Sequence, residues 1–186
     1  MRRSVVFAVA LGALWCGLPP AVAAQGDRLV VLVRHAEADG EPRQDPPLTD
    51  RGRARAEALA AALEHANIQR IVVSPLARTR LTAEPIARAR GVPPTVADVA
   101  GGLDAHVAAV VDAVRSGHAD GAVLVVGHSN TVPAIVTALG APPMPDLCHG
   151  EFATLFVLHL PAEGTPWLIR SSYGAPDEED ACETAN

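Results

Sequence analysis

Lysine is absent from this chain, and all 15 of its basic residues are arginine. That absence removes Schiff-base catalysis and the phosphate-gripping lysine of a P-loop from the available mechanisms. An excess of positive charge is missing as well. With a formal charge of −6, the surface is unsuited to nucleic acid, which needs a basic face to displace condensed counterions. Any anion site must therefore be local. The spacings that bind zinc are also lacking: there is no H-E-x-x-H, no Cys-x-x-Cys pair and no carboxylate at useful spacing from a histidine. The chain is expected to use no metal and no cofactor.

Long apolar runs are missing too, and the run "VVFAVALGALWCGL" falls short of the ~20 residues of a membrane span. It follows the positive "MRRS" and precedes the small-residue segment "PPAVAA", the three-part pattern of a secretory signal. Residues 1–24 are read as that leader, with cleavage after Ala23 or Ala24. The mature protein is expected in the periplasm or secreted, with no stable membrane insertion. Cysteine is scarce, and the leader removes Cys16. Cys148 and Cys182 remain, an even pair in an oxidising compartment. A disulfide between them would tether the acidic tail at 175–186, "APDEEDACETAN", to the "PDLCHGEF" loop.

What is present describes one globular domain over residues 25–174, since 49% of the chain is apolar and 19% charged. "DRLVVLV" reads as a strand covered on both faces, followed by a Pro- and Gly-rich loop. "TDRGRARAEALAAALEHA" reads as a helix capped by Thr49 or Asp50. "RIVV" is a second strand. The next helix is expected to start with Ser74 as N-cap and Pro75 at its first position, to be interrupted or kinked at Pro85, and to end at Gly91. "PTVAD" is a short strand, after which Val107, Val110, Val111 and Val114 share one helical face that ends at Gly117. "GAVLVVGHSN" is a third strong strand leading into the helix "TVPAIVTALG". "FATLFVLHL" and "WLIRSSYG" form an antiparallel pair. Strands alternating with helices predict an α/β three-layer sandwich, its mostly parallel central sheet flanked by helices.

Ligands of such sheets bind beyond the carboxyl ends of the strands. Three strong strands here end at "RH", at "SPLAR" and at "GHSN". If those ends are neighbours, Arg34, His35, Arg78 and His128 share one crevice. "GHSNT" is a poor serine-hydrolase elbow, because Thr131 stands where the last glycine of G-x-S-x-G belongs. Phosphate chemistry suits the set better. Arginine forks match the equatorial oxygens of a phosphoryl group. An unprotonated imidazole can attack phosphorus, and nearby guanidinium groups favour that neutral form by lowering the His35 pKa from its free value of ~6.5. His128 can donate to the phosphoryl oxygens as charge develops.

On the motifs "RHAE" at 34–37, "LTDRG" at 48–52, "SPLARTRLTA" at 74–83 and "GHSN" at 127–130, the chain resembles the histidine phosphatase superfamily, branch 1, with the phosphoglycerate-mutase-like fold. They stand in the family's order and cover nearly all of the mature chain. The resemblance implies that His35 is the phosphorylated nucleophile, that Arg34 and Arg78 bind the phosphoryl group, that His128 completes the pocket, and that Ser129 adds a substrate contact. Larger members carry a general-acid glutamate in an insertion that is missing here. Asp98 and Asp104 are the only acidic candidates in that segment, and Asp104 is expected instead to cap the following helix. The expected partner is a small phosphorylated substrate, and the expected enzyme a compact phosphatase acting on phosphate monoesters or phosphohistidine. The competing expectation is an exported module on the same fold that holds a phosphorylated ligand without turning it over.

Overall fold

The computed structural model describes residues 26–42, 44–117, 121–178 and 182. The leader read at residues 1–24 lies outside the described residues, as does part of the acidic tail. Six strands and four helices alternate: β1 (Arg28–Arg34), α1 (Asp50–Ala62), β2 (Ile68–Val73), α2 (Ala77–Arg90), β3 (Thr95–Val96), α3 (Gly102–Arg115), β4 (Ala122–Gly127), α4 (Thr131–Ala138), β5 (Thr154–Leu160) and β6 (Trp167–Ser172). The sheet order is β3-β2-β4-β1-β5-β6. The first four strands in that order are parallel, β5 is antiparallel to β1, and β6 is antiparallel to β5.

The continuous apolar runs of β1 and β4 are explained by a core on each face. On one face Val31, Val33, Leu124 and Val126 pack with Leu59 of α1 and Ile86 of α2. On the other, Val30, Leu32, Val123 and Val125 pack with Val110 and Val114 of α3 and Ile135 of α4. The period of two along each strand divides its side chains between these layers. The result is the three-layer sandwich, with the β5–β6 pair extending the sheet on one side.

The helices differ from the sequence expectations at four places. Thr49 does cap α1, accepting the Gly52 N–H at 3.0 Å. Ser74 does not cap α2, because the chain bends at Pro75 and Leu76, Leu76 takes the cap position and the helix begins at Ala77. Pro85 does not interrupt α2, which runs on to Gly91 in the left-handed conformation. The buried Thr82, Ala83 and Ile86 around it hold that helix against the sheet despite the backbone bond that proline cannot make. Asp104 is not the cap of α3: Gly101 occupies that position and Asp104 lies in the first turn. That helix stops at Arg115, two residues before Gly117 with its φ of +69°.

Strand register decides where chemistry can gather. Arg34 pairs with Gly127, and Val73 pairs with Val126. β1, β2 and β4 therefore finish level, and the residues just past them meet in one crevice.

Candidate active site

His35 follows β1, and its backbone N–H continues the ladder by donating to the Gly127 carbonyl at 2.9 Å. The residue is only 8% exposed. Its Nδ1 lies 2.7 Å from the Ala36 carbonyl, an atom that only accepts, so Nδ1 carries the proton and Nε2 keeps its lone pair. Burial lowers the pKa to about 4; the Ala36 bond opposes this, and the Arg34 and Arg78 charges reinforce it. The ring is thus neutral and nucleophilic at neutral pH. Its backbone is pinned in turn, because the Ala36 N–H donates to Thr82 Oγ1 at 2.9 Å and that hydroxyl donates to the Arg78 carbonyl at 2.7 Å.

Arg34 ends β1 and is 6% exposed. Its Nη1 donates to the carbonyls of Cys148, His149 and Glu151 at 2.9, 2.7 and 3.2 Å. The guanidinium carbon sits 4.0 Å from the centre of the Phe152 ring, a cation–π contact that helps hold its plane. Nε is buried and has no protein partner among the described residues. A buried N–H of this kind is costly unless a ligand takes it. Burial lowers the Arg34 pKa, opposed by Glu151 and Asp177, yet a guanidinium remains charged at any working pH.

Arg78 lies in the first turn of α2, half-buried. Asp45 secures that turn by accepting the Ala77 N–H at 2.6 Å. Burial lowers the Arg78 pKa and the Asp45 charge opposes it. Arg78 lines an open cleft of about 400 Å³ together with His35, His128, Ser129, Leu103 and His106. Arg34 does not line the open cleft, and its charge acts on His35 from within the protein.

His128 follows β4. Its N–H donates to Thr131 Oγ1 at 2.8 Å, and Nε2 lies 3.0 Å from Ser74 Oγ. Its ring stands edge-on to that of His35, with centroids 5.3 Å apart. Burial first, then His35 and Arg78, push its pKa down to about 3. His128 is therefore neutral, and its Nδ1, which has no protein partner among the described residues, is the nitrogen left for a ligand. Ser129 lines the cleft, while its carbonyl accepts the Leu147 N–H at 3.0 Å.

The two acidic candidates do not reach the site. Asp98 is exposed, and its Oδ1 accepts the Val99 and Ala100 N–H groups at 2.7 and 3.1 Å. Asp104 lines a neighbouring groove between α3 and α4. Neither lines the cleft. The cleft holds instead a residue that the sequence reading passed over, His106 of α3. Its signal was available: His106 is one helical turn before Val110 and so shares the inward face of α3. Glu37, the acid of "RHAE", is turned away to α1, where Arg55 holds it at 2.8–3.0 Å and Arg51 at 3.0 Å. Burial raises the Glu37 pKa, but these arginines hold it below the usual carboxylate range.

Cys148 and Cys182 are bonded, with Cα atoms 5.3 Å apart. The bridge joins the tail to the loop whose carbonyls hold Arg34. Among the described residues, the one grouping with metal-ligand spacing is Cys148, Glu151 and Cys182. Both of its sulfurs are spent in the disulfide.

Residues 30–99 match the model of the histidine phosphatase superfamily (branch 1). The solved structure of the "Putative Phosphohistidine Phosphatase SixA" from Nakamurella multipartitia is 31% identical, covering 81% of this chain and 98% of that one with a TM-score of 0.54. A protein histidine phosphatase SixA solved with tungstate is similar in fold, with a TM-score of 0.60 and 24% identity over 77% of this chain and 96% of that one. Phosphoserine phosphatase 1 of Hydrogenobacter thermophilus is 41% identical over 69 residues, which is 34% of this chain. The match spans only a third of that relative's length, 33%.

Proposed function

The chain belongs to the histidine phosphatase superfamily, branch 1, and from that premise we propose that it is a metal-independent phosphatase acting on phosphate monoesters or phosphohistidine. The phosphoryl group sits in the cleft against Arg78 and His128, with Ser129 at its edge and the buried Arg34 charge behind His35. His35 Nε2 attacks phosphorus, the bond to the leaving group breaks, and a phosphohistidine forms. Water then attacks that phosphorus and returns His35 to its neutral state. The observation that carries this reading is the His35 Nδ1–H bond to the Ala36 carbonyl, which leaves the Nε2 lone pair for attack beside two guanidinium groups. Charge on the phosphoryl oxygens is met by arginine and by the His128 Nδ1–H group, so the scheme requires no metal ion.

The bonded cysteine pair and the leader pattern at residues 1–24 support a site of action outside the cytoplasm. There, phosphomonoesters, nucleotides and glycan phosphates are the accessible substrates. Acid-quenched incubation of the mature protein with a generic aryl phosphate tests the proposal. The expected result is released phosphate and an acid-labile phosphoprotein that disappears in His35→Ala. If neither product nor phosphoprotein forms, while inorganic phosphate still protects against heat, the protein is a binding module.

A further inference from the structure

We propose that His106 is the proton donor to the leaving group, an assignment that rests on the phosphatase reading of the same cleft. His106 lines that cleft with His35, Arg78 and His128, yet the residue is only 3% exposed and fixed in place. Its Nδ1 lies 3.0 Å from the Asp98 carbonyl. A carbonyl only accepts, so Nδ1 bears hydrogen in every charge state of the ring. Nε2 is then the working atom. It has no protein partner among the described residues, and it is not one of the buried polar atoms sealed off without a partner. It is therefore open to whatever enters the cleft.

This geometry answers the need left by the acidic residues. A phosphoryl transfer to His35 requires a proton on the departing oxygen when the alcohol leaves poorly. Among the described residues, no carboxylate lines the cleft to supply it. The Asp98 side chain is committed to backbone amides, while its carbonyl orients His106. The charged and titratable groups facing His106 are His128, His35 and Arg78. With Nδ1–H held by the Asp98 carbonyl, donation from Nε2 needs a second proton on the ring, which a monoanionic phosphate ester carries in as it binds.

The bond from His35 Nε2 to phosphorus forms, the ester P–O bond breaks with its electron pair going to oxygen, and the His106 Nε2 proton moves to that oxygen. His106 is left neutral. In the second step water attacks phosphorus, its proton goes to His106 Nε2, and the N–P bond breaks to regenerate His35. The proposal thereby selects a substrate class, alkyl phosphomonoesters, for which a donor matters most.

The test compares glycerol phosphate with p-nitrophenyl phosphate, whose leaving group needs no proton. The quantity measured is kcat/KM, which reports steps up to loss of the leaving group. His106→Ala and His106→Asn are both made; the asparagine amide keeps an N–H for the Asp98 carbonyl and so controls for packing. Both variants are expected to lose about 10²–10⁴-fold on glycerol phosphate and far less on the aryl ester. An active wild type whose variants lose equally on both esters, or on neither, overturns the assignment of His106 alone. A wild type inert to both esters, with no phosphoprotein, overturns the phosphatase reading and this assignment with it.

Discussion

Ser74 Oγ lies 3.0 Å from His128 Nε2, joining the chain past β2 to the chain past β4. Ser74 Oγ also accepts the Leu76 N–H at 3.3 Å and lies 2.9 Å from Thr79 Oγ1. Thr79 can give its own proton to the Ser74 or Leu76 carbonyl, at 3.0 and 2.9 Å. The Ser74 proton is then free for Nε2, which fixes the neutral His128 tautomer with Nδ1–H toward the cleft. Ser74→Ala should lower kcat about 10-fold, the equivalent of ~1.4 kcal/mol, and cost a similar amount of stability. Steady-state kinetics and thermal unfolding of the variant check both.

Loss of the nucleophile and loss of a cation should be separable. His35→Ala is expected to abolish turnover and phosphoprotein together, since it removes the attacking nitrogen, while His128 Nε2 is held by Ser74 and His106 serves as the proton donor. Arg78→Ala should retain the phosphoprotein but lose roughly 2.7–4 kcal/mol of transition-state stabilisation, by analogy with oxyanion donors. Rapid-quench labelling distinguishes the two variants. Wild-type rates in His35→Ala would rule out the mechanism.

Acid should act on both activity and stability. His35 titrates at about 4 and His128 at about 3 in the folded protein, against ~6.5 in an unfolded chain. Between those values the unfolded chain binds protons that the native state refuses. Stability is therefore complete above about pH 6.5 and falls as the pH drops toward 4, by on the order of 3 kcal/mol for His35 alone. The acid limb of kcat/KM should lie near pH 4 in wild type. It should move upward in Arg78→Gln, because the Arg78 charge contributes to the depression. A pH–rate profile paired with unfolding curves measures both.

The Cys148–Cys182 bridge should support Arg34. Cys148 is part of the loop that accepts the Arg34 Nη1 bonds, and Asp177 of the tethered tail accepts the Phe152 and Ala153 N–H groups at 3.0 Å. Reduction, or paired Cys→Ser exchange, should cost about 2–4 kcal/mol of stability and raise KM for phosphate esters more than it lowers kcat. Thiol alkylation before and after reductant, with kinetics on each form, tests the link. Two freely alkylated thiols in the protein before reduction would contradict it.

Gly52 of "LTDRG" makes a separate prediction about packing. A Cβ there would lie 2.0 Å from the Glu37 carbonyl oxygen, which also accepts the Thr49 N–H at 3.0 Å. Gly52→Ala should cost at least the ~1–3 kcal/mol of an overpacked core. The damage should extend to activity, because α1 would be pushed off the segment that follows His35. A variant as stable and active as wild type would sink this account.

By itself, the sequence determined the alternating elements and the layered α/β fold, because strand and helix periods are local properties carried by β-branched runs and by residues such as Val107, Val110 and Val114. It also marked Arg34, His35, Arg78 and His128, since each stands just past an apolar strand or one helical turn beyond it. Only the tertiary structure decided the rest. Ser74 reads locally as a helix cap, but its partner His128 is 54 positions away. Asp98 and Asp104 read as acids, yet local backbone geometry commits the first and the helix direction removes the second. His106 carries no motif, and its place in the cleft exists because α3 packs over the level ends of β1, β2 and β4. Hydrogen-bond partners and shared clefts depend on contacts between distant segments, which no local pattern records.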